Sequence, residues 1–323
     1  MNNAIVVEGL TKRFGALVAL DSVDFEVAPG TVFGLLGPNG AGKTTAIRVL
    51  TTLLRPDSGR ARILGLDVVG DASAVRHQIG LAGQSAAVDV NLTGRENLRL
   101  IGRLAQMPRA EFRPRADELL ERFSLADAAT RPVRGYSGGM RRRLDVAAAL
   151  VARPPVLFFD EPTTGLDLQS RNELWQMIRE LVADGTTVVL TTQYLEEADR
   201  LADRIAVIDH GQLIANDTPA ALKSRLGSTV IEIGLPDEPA AVEAESILAA
   251  MVDTRLEREG DSIRVTSNDG SRVLIDALHL LDSKDLLPTA VQVREPSLDD
   301  VFLHLTGRHA ADVRVASAAE ESS

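Results

Sequence analysis

The chain has 323 residues, 45% hydrophobic and 25% charged, with a formal net charge of -11 and no Cys. That apolar content is enough for a packed core and excludes wholesale disorder. The acidic balance argues against a general nucleic-acid binder, and the lack of Cys excludes disulfide scaffolds and thiolate metal sites. The length favours one large or two ordinary domains. Residues 1–4 carry neither the basic nor the hydrophobic region of a secretory signal, and no apolar run approaches the about 20 residues of a membrane helix. A soluble, reduced, intracellular protein is therefore expected.

In chain order, Ala4–Val7 reads as a short strand and Val23–Val27 as a half-buried one, from its in-out alternation. Pro29-Gly30 signals a turn. Thr31–Leu36 then runs apolar into a glycine loop, and a helix is expected over Thr44–Leu54. Residues 96–125 are helix-like, with Leu98, Ile101, Leu104, Leu119, Leu120 and Phe123 at helical spacing and Pro108 and Pro114 as punctuation. Met140–Ala152 reads as a helix that ends before Pro154-Pro155. Buried-strand runs come next at Val156–Phe159 and Thr187–Leu190, with a helix over Ser170–Ala183 between them. This alternation predicts an α/β fold, a mostly parallel sheet covered on both faces. Around Leu226 the character changes. Strands at Thr229–Ile233, Asp261–Thr266 and Ala290–Val293 and helices at Ala240–Met251, Arg272–Leu281 and Ser297–Leu305 predict a small α+β appendage over 226–307. The Ala/Ser/Glu-rich residues 308–323 read as a frayed tail. No internal repeat is present, so one nucleotide-type core is expected.

Gly37-Pro38-Asn39-Gly40-Ala41-Gly42-Lys43-Thr44-Thr45 fits the G-x-x-x-x-G-K-S/T phosphate loop, in the strand-loop-helix context the motif needs. Its glycines let successive backbone N–H groups turn inward around phosphate oxygens, and the adjoining helix points its positive end at the same anion. Lys43 brings a compact charge to the β- and γ-phosphates, and the Thr44 hydroxyl can ligate Mg²⁺. The choice of Lys is telling, because the 35 basic residues include only four Lys, at 12, 43, 223 and 284. Val156–Phe159 ends in Asp160-Glu161. Beside a phosphate loop, Asp160 can hold Mg²⁺ through its water shell, and Glu161 sits where an attacking water must be oriented and deprotonated. Such acidic pairs are otherwise common loop residues.

Tyr136-Ser137-Gly138-Gly139-Met140 precedes a helix, with Ser137 a good N-cap and two glycines exposing N–H groups at the positive helix end. An ordinary capped helix start would look the same. As a second anion site, it is simplest to assign it to the nucleotide of another subunit. Arg141-Arg142-Arg143 reads as a solvated or subunit-facing patch rather than a nucleic-acid site, and the five His, at 77, 210, 279, 304 and 309, show no pair spaced for a metal.

Phosphate loop, Ser137-Gly138-Gly139, carboxylate pair and Gly165-Leu166-Asp167 stand in the order and rough spacing of the ATP-binding cassette ATPases, which the chain resembles over residues 4–225. The resemblance implies a P-loop NTPase core. Its parts are a mostly parallel sheet, an antiparallel β part and a helical signature subdomain at about 85–153. It further implies ATP hydrolysis with Mg²⁺ and a homodimer enclosing two ATP molecules, each between one subunit's phosphate loop and the other's signature. Carried over residue by residue, Gln84 matches the glutamine that touches Mg²⁺, Asp167 the aspartate that communicates across the dimer, and Phe14 the aromatic ring against adenine. As a core aromatic, Phe14 would have no such part. Two positions depart from the family. Gln193 stands where a switch His is usual; its amide can donate to the γ-phosphate but takes up no proton, which puts the base role on Glu161. Met140 replaces the usual polar end of the signature.

Tyr136–Arg143, Thr191–Asp199 and Glu295–Leu303 most resemble the ATP-binding subunits of daunorubicin/doxorubicin-resistance exporters. As a capped amphipathic helix, the last segment would also pack Leu298, Val301, Phe302 and Leu305 on the core. The resemblance implies an energy-coupling ATPase, peripheral on the cytoplasmic side of the cell membrane, with a separate multi-span permease docking near Gln84 and residues 96–125. A hydrophobic drug or antibiotic is the expected cargo, with lipid, polysaccharide or ion export as alternatives. A soluble cassette acting on ribosomes or DNA is disfavoured by the single cassette, the missing Cys and the acidic charge. A regulatory subunit without turnover is disfavoured by Glu161, although Gln193 leaves room for it.

Overall fold

The computed structural model describes residues 3–83, 88–226, 229–249 and 255–307. Gln84 and the tail at 308–323 lie outside the described residues. Contacts divide the chain into two compact units, one ending at Asp217 and one starting at Thr218, whereas the change in sequence character places that line after 225.

The first unit opens on a hairpin of β1 (Ile5–Phe14) and β2 (Leu17–Val27). Both strands are longer than their alternation indicates, because register shifts near Gly9, which has φ +57°, interrupt the in-out pattern. Next come β3 (Val32–Leu36) and α1 (Lys43–Leu50). Helix α1 ends four residues short of the expected Leu54. Thr52 takes φ +64°, and the Leu53 N–H reaches back to the Arg48 carbonyl at 2.8 Å, closing a Schellman-type end. After it come β4 (Ser58–Ile63), β5 (Leu66–Asp67), α2 (Ala72–Gln78) and β6 (Ile79–Ala82). The helix-like stretch at 96–125 is two helices, α3 (Gly94–Leu104) and α4 (Arg109–Arg122), parted at Gln106 with φ +58°. Pro108 caps α4, but Pro114 lies inside it. The unit continues with α5 (Gly138–Ala149), β7 (Val156–Asp160), α6 (Leu168–Ala183), β8 (Thr187–Thr192), α7 (Leu195–Leu201), β9 (Arg204–Asp209) and β10 (Gln212–Asp217).

These strands form two sheets. The central one has the order β10-β9-β3-β8-β7-β6, parallel throughout except for the edge strand β10. Every residue of β3, β7 and β8 is buried, as a parallel sheet covered on both faces requires. The other sheet, β2-β1-β4-β5, is antiparallel. Its Ile5, Leu10 and Phe25 share one core with Ile47 and Leu50 of α1 and Phe33, Phe158 and Ile208 of the central sheet. The Phe25 and Phe33 rings stack at 5.1 Å across that seam.

The second unit comprises α8 (Pro219–Ser224), β11 (Thr229–Gly234), α9 (Glu238–Leu248), β12 (Arg255–Glu259), β13 (Ser262–Ser267), α10 (Gly270–Asp282), β14 (Ala290–Arg294) and α11 (Leu298–Thr306). Its sheet, β12-β13-β11-β14, is antiparallel. Ile231, Ile233, Ile263 and Val265 pack against Ala244 and Leu248 of α9 and Ala277 and Leu281 of α10. Alternation along the strands leaves Glu232, Arg264 and Arg294 on the opposite side of the pleat. There Arg294 clasps Asp300 of α11 through two hydrogen bonds of 2.6 and 3.0 Å.

Candidate active site

The strand order brings three C-terminal strand ends together. β8 lies between β3 and β7, pairing Thr192 with Leu36 and Thr191 with Asp160. The loop after β3, the carboxylates after β7 and the Gln193 segment after β8 therefore meet at one edge, where open α/β sheets bind ligands.

Two glycines make the loop possible. A Cβ on Gly37 would run into the carbonyl oxygen of Ile208, and one on Gly42, held at φ +110°, into that of Ala19. No side chain caps α1 at Gly42, so the first-turn N–H groups stay available to an anion. Lys43 is buried, 4% exposed. Its Nζ donates to the carbonyls of Gly37 and Pro38 at 2.8 and 3.0 Å and lies 3.5 Å from Glu161 Oε1. Burial pushes the Lys43 ammonium below the ordinary lysine range, against the opposing pull of Glu161 and Asp160.

Asp160 is buried, and its Oδ1 accepts from the Thr44 hydroxyl at 3.1 Å and the Thr191 hydroxyl at 2.6 Å. The backbone of Glu161 turns into the left-handed region at φ +49°, a conformation that costs a non-glycine residue energy and persists where its surroundings fix it. Here its N–H donates to the Thr191 hydroxyl at 3.0 Å and the Thr191 carbonyl at 3.2 Å. Thr191 thus ties the Asp160 carboxylate and the Glu161 backbone to β8. Sequence reasoning gives it no role beyond opening the Thr191–Asp199 segment, where the local signal is a Thr-Thr pair ending an apolar strand. A cleft of about 460 Å³ is lined by Asn39, Gly138, Arg142, Glu161 and Gln193, among others.

The remaining candidates surround this set. Thr45 lies in the first turn of α1. Ser137 caps α5, accepting from the Met140 N–H at 3.2 Å, and it and Gly138 are exposed. Gly139 packs against Ser170. Asp167 is exposed and caps α6, accepting from the Ser170 N–H at 2.7 Å, which holds its carboxyl below the usual range. Phe14 is no core residue: it is 48% exposed at the end of β1, with the Lys12 ammonium 5.6 Å from its ring centre.

Of the two readings of the arginines at 141–143, solvated or subunit-facing, the first does not hold, because all three are half-buried and bonded within the chain. Arg141 donates to the Arg134 carbonyl at 2.9 Å, and Arg143 reaches Glu173 at 3.2 Å. Arg142 donates to the carbonyls of Pro162 and Gly83, each at 2.7 Å. Arg142 and Arg143 find their partners on segments distant in sequence, which a run of like charges does not reveal. Glu197 is likewise buried, accepting from the Trp175 indole at 3.0 Å, and burial pushes its carboxyl up.

A family model described as "ABC transporter" matches residues 20–164. The daunorubicin resistance ATP-binding protein DrrA3 of Streptomyces coeruleorubidus is 53% identical, over 95% of this chain and 96% of that protein. The daunorubicin/doxorubicin resistance ATP-binding protein DrrA of Streptomyces peucetius is 50% identical, over 98% and 97%. Among solved structures, a dimeric ATP-binding cassette in a post-hydrolysis state with ADP and phosphate superposes with a TM-score of 0.61 at 27% identity, covering 66% of this chain and 98% of that one. No helix among the described residues is long and apolar enough to cross a membrane. The chain belongs to the ABC transporter family, as an ATP-binding, ATP-hydrolysing cassette subunit.

Proposed function

We propose that this chain is the energy-coupling ATPase of a membrane exporter for a hydrophobic drug or antibiotic. It works as a homodimer around two ATP molecules, peripheral on the cytoplasmic side of the membrane, with a separate multi-span permease. The observation that carries the reading is the set formed by Lys43, Thr44, Asp160 and Glu161 at the ends of the central strands. The cargo class is drawn from the relatives' names, and the peripheral placement accords with the lack of a membrane-spanning helix among the described residues.

The loop N–H groups and the start of α1 bind the phosphates, with the Lys43 ammonium as the buried countercharge. Burial favours that role, since a desolvated ammonium attracts an incoming anion more strongly than a hydrated one. The Thr44 hydroxyl and the Asp160 carboxylate offer oxygen donors alone, the set a Mg²⁺ ion prefers. Bound there, the ion would neutralise charge on the β- and γ-phosphates. Glu161 is the base: its carboxylate lines the cleft, and Thr191 fixes its backbone. Gln193, on the same cleft, donates to the γ-phosphate through its amide. Exposed Ser137 and Gly138 at the start of α5 serve the partner's nucleotide, and Asp167 faces the same interface. Phe14 would stack on adenine; Gln84, which the resemblance assigns to Mg²⁺, lies outside the described residues.

The test is purification of the tagged chain from mild-detergent membranes of its host, then drug efflux from vesicles containing the recovered complex. A stoichiometric multi-span protein and ATP-dependent efflux that Lys43→Ala abolishes are expected. Recovery only with ribosomes or nucleic acid overturns the transport reading. Efflux of lipid, polysaccharide or ions in place of drug overturns the cargo alone.

A further inference from the structure

Arg142 lies in the second turn of α5, the helix whose start carries Ser137 and Gly138. Its guanidinium makes two short bonds in different directions. Nε donates to the Pro162 carbonyl and Nη1 to the Gly83 carbonyl, each at 2.7 Å. Pro162 is the residue directly after Glu161, and Gly83 the residue directly before Gln84. Both acceptors are main-chain atoms, so the guanidinium fixes the path of two chain segments and not merely a charge. The first segment needs fixing, because Glu161 is held at φ +49° and its own N–H is tied to Thr191 on the β8 side. Thr191 anchors the residue from the β8 side, and Arg142 anchors the next residue from the α5 side. The arrangement demands a rigid planar fork with several donors, which Arg has and Lys lacks.

We propose that Arg142 is a positioning residue for hydrolysis. Through the Pro162 and Gly83 carbonyls it transmits the placement of α5 to Glu161 and to the end of the β6 segment at Gly83. Displacement of α5 moves the guanidinium, and with it the carboxylate that activates water. Nucleotide affinity, set by the loop before α1, is left untouched. Two sites on one subunit, the start of α5 and its own Glu161, are thereby linked through one side chain. This inference rests on the reading of Glu161 as the base.

The test compares the full-length wild type with Arg142→Ala, Arg142→Lys and Glu161→Gln, measuring ATPase kcat and KM and, separately, the Kd for ATP. A misplaced base costs kcat on the order of 10²-fold, so that loss is expected for Arg142→Ala with KM and Kd within about threefold of wild type. Arg142→Lys is expected to lose nearly as much, since one ammonium does not span both carbonyls. Wild-type kcat in Arg142→Ala overturns the proposal, as does an equal loss of kcat and ATP affinity. Full activity in Arg142→Lys also overturns it, by showing that charge alone suffices. That variant decides the matter too if Arg142→Ala fails to fold. A Glu161→Gln enzyme as fast as wild type instead overturns the reading of the site. Loss in Glu161→Gln combined with an unaffected Arg142→Ala overturns only the coupling.

Discussion

The phosphate loop shows how closely single residues are constrained. Gly40 and Gly42 both have positive φ, +77° and +110°, but their surroundings differ. Nothing lies within 4 Å of a Cβ built on Gly40, whereas one on Gly42 meets the Ala19 main chain and approaches the Leu20 side chain. Gly40→Ala should therefore cost only the left-handed strain of roughly 1–2 kcal/mol and retain ATP binding. Gly42→Ala must also shift β2 or the start of α1. A clearly larger drop in Tm and loss of ATP binding are expected, by thermal unfolding and nucleotide titration. Equal behaviour of the two variants would contradict the packing of β2 behind the loop.

Among the elements, α11 is held by electrostatics as much as by its apolar face. Leu298, Val301 and Phe302 are buried, and Ser297 with Asp300 forms a capping box. Asp300 is buried beneath Arg294, which also donates to Glu232 at 2.8 Å. Burial pushes the Asp300 and Glu232 carboxyls up, but the Arg294 guanidinium, together with Ser297 at Asp300 and Arg264 at Glu232, outweighs it and holds both below their ordinary values of 3.8 and 4.5. A carboxyl depressed in the fold contributes stability that is present above its unfolded pKa and is lost as pH falls through its folded pKa. Unfolding of the second unit should accordingly become easier as pH drops below about 4. Arg294→Met leaves the buried Asp300 carboxylate to its longer pairing with Arg264 at 3.5 Å, a loss of up to about 3 kcal/mol at pH 7, and should flatten the acid dependence. Urea titrations of both proteins at about pH 7 and about pH 3.5 check this, since the window lies around the ordinary carboxylate range; parallel losses of stability would refute it.

At the scale of the whole molecule, one subunit holds two helix starts that we propose bind anions. That of α1 is walled by Lys43 and Glu161, while that of α5 presents Ser137 and Gly138 to solvent. An exposed second site makes sense if another copy's nucleotide completes it. Slowing hydrolysis should then accumulate the closed pair: Glu161→Gln with ATP and Mg²⁺ is expected to elute as a dimer, and to revert to monomer with ADP. A monomer under both conditions, by light scattering, would count against the shared site.

Much of this molecule is legible in its sequence because the causes are local. Gly37–Thr45 must curl around an anion by its own torsions, and Val156–Phe159 with two acids after it must be a buried strand ending in charge. Ser137 must cap the helix that begins at Gly138. Ser297 is legible as the start of α11 for the same reason. Other features are decided only by tertiary structure. Strands β4, β9 and β12 declare themselves through partners distant in sequence or across a tight turn. Thr191 becomes a site residue because β8 lies beside β7, and Arg142 becomes a tie because Gly83 and Pro162 converge on α5. Sequence neighbours fix torsions and caps, whereas a buried donor is defined by whichever acceptor folding brings within about 3 Å of it.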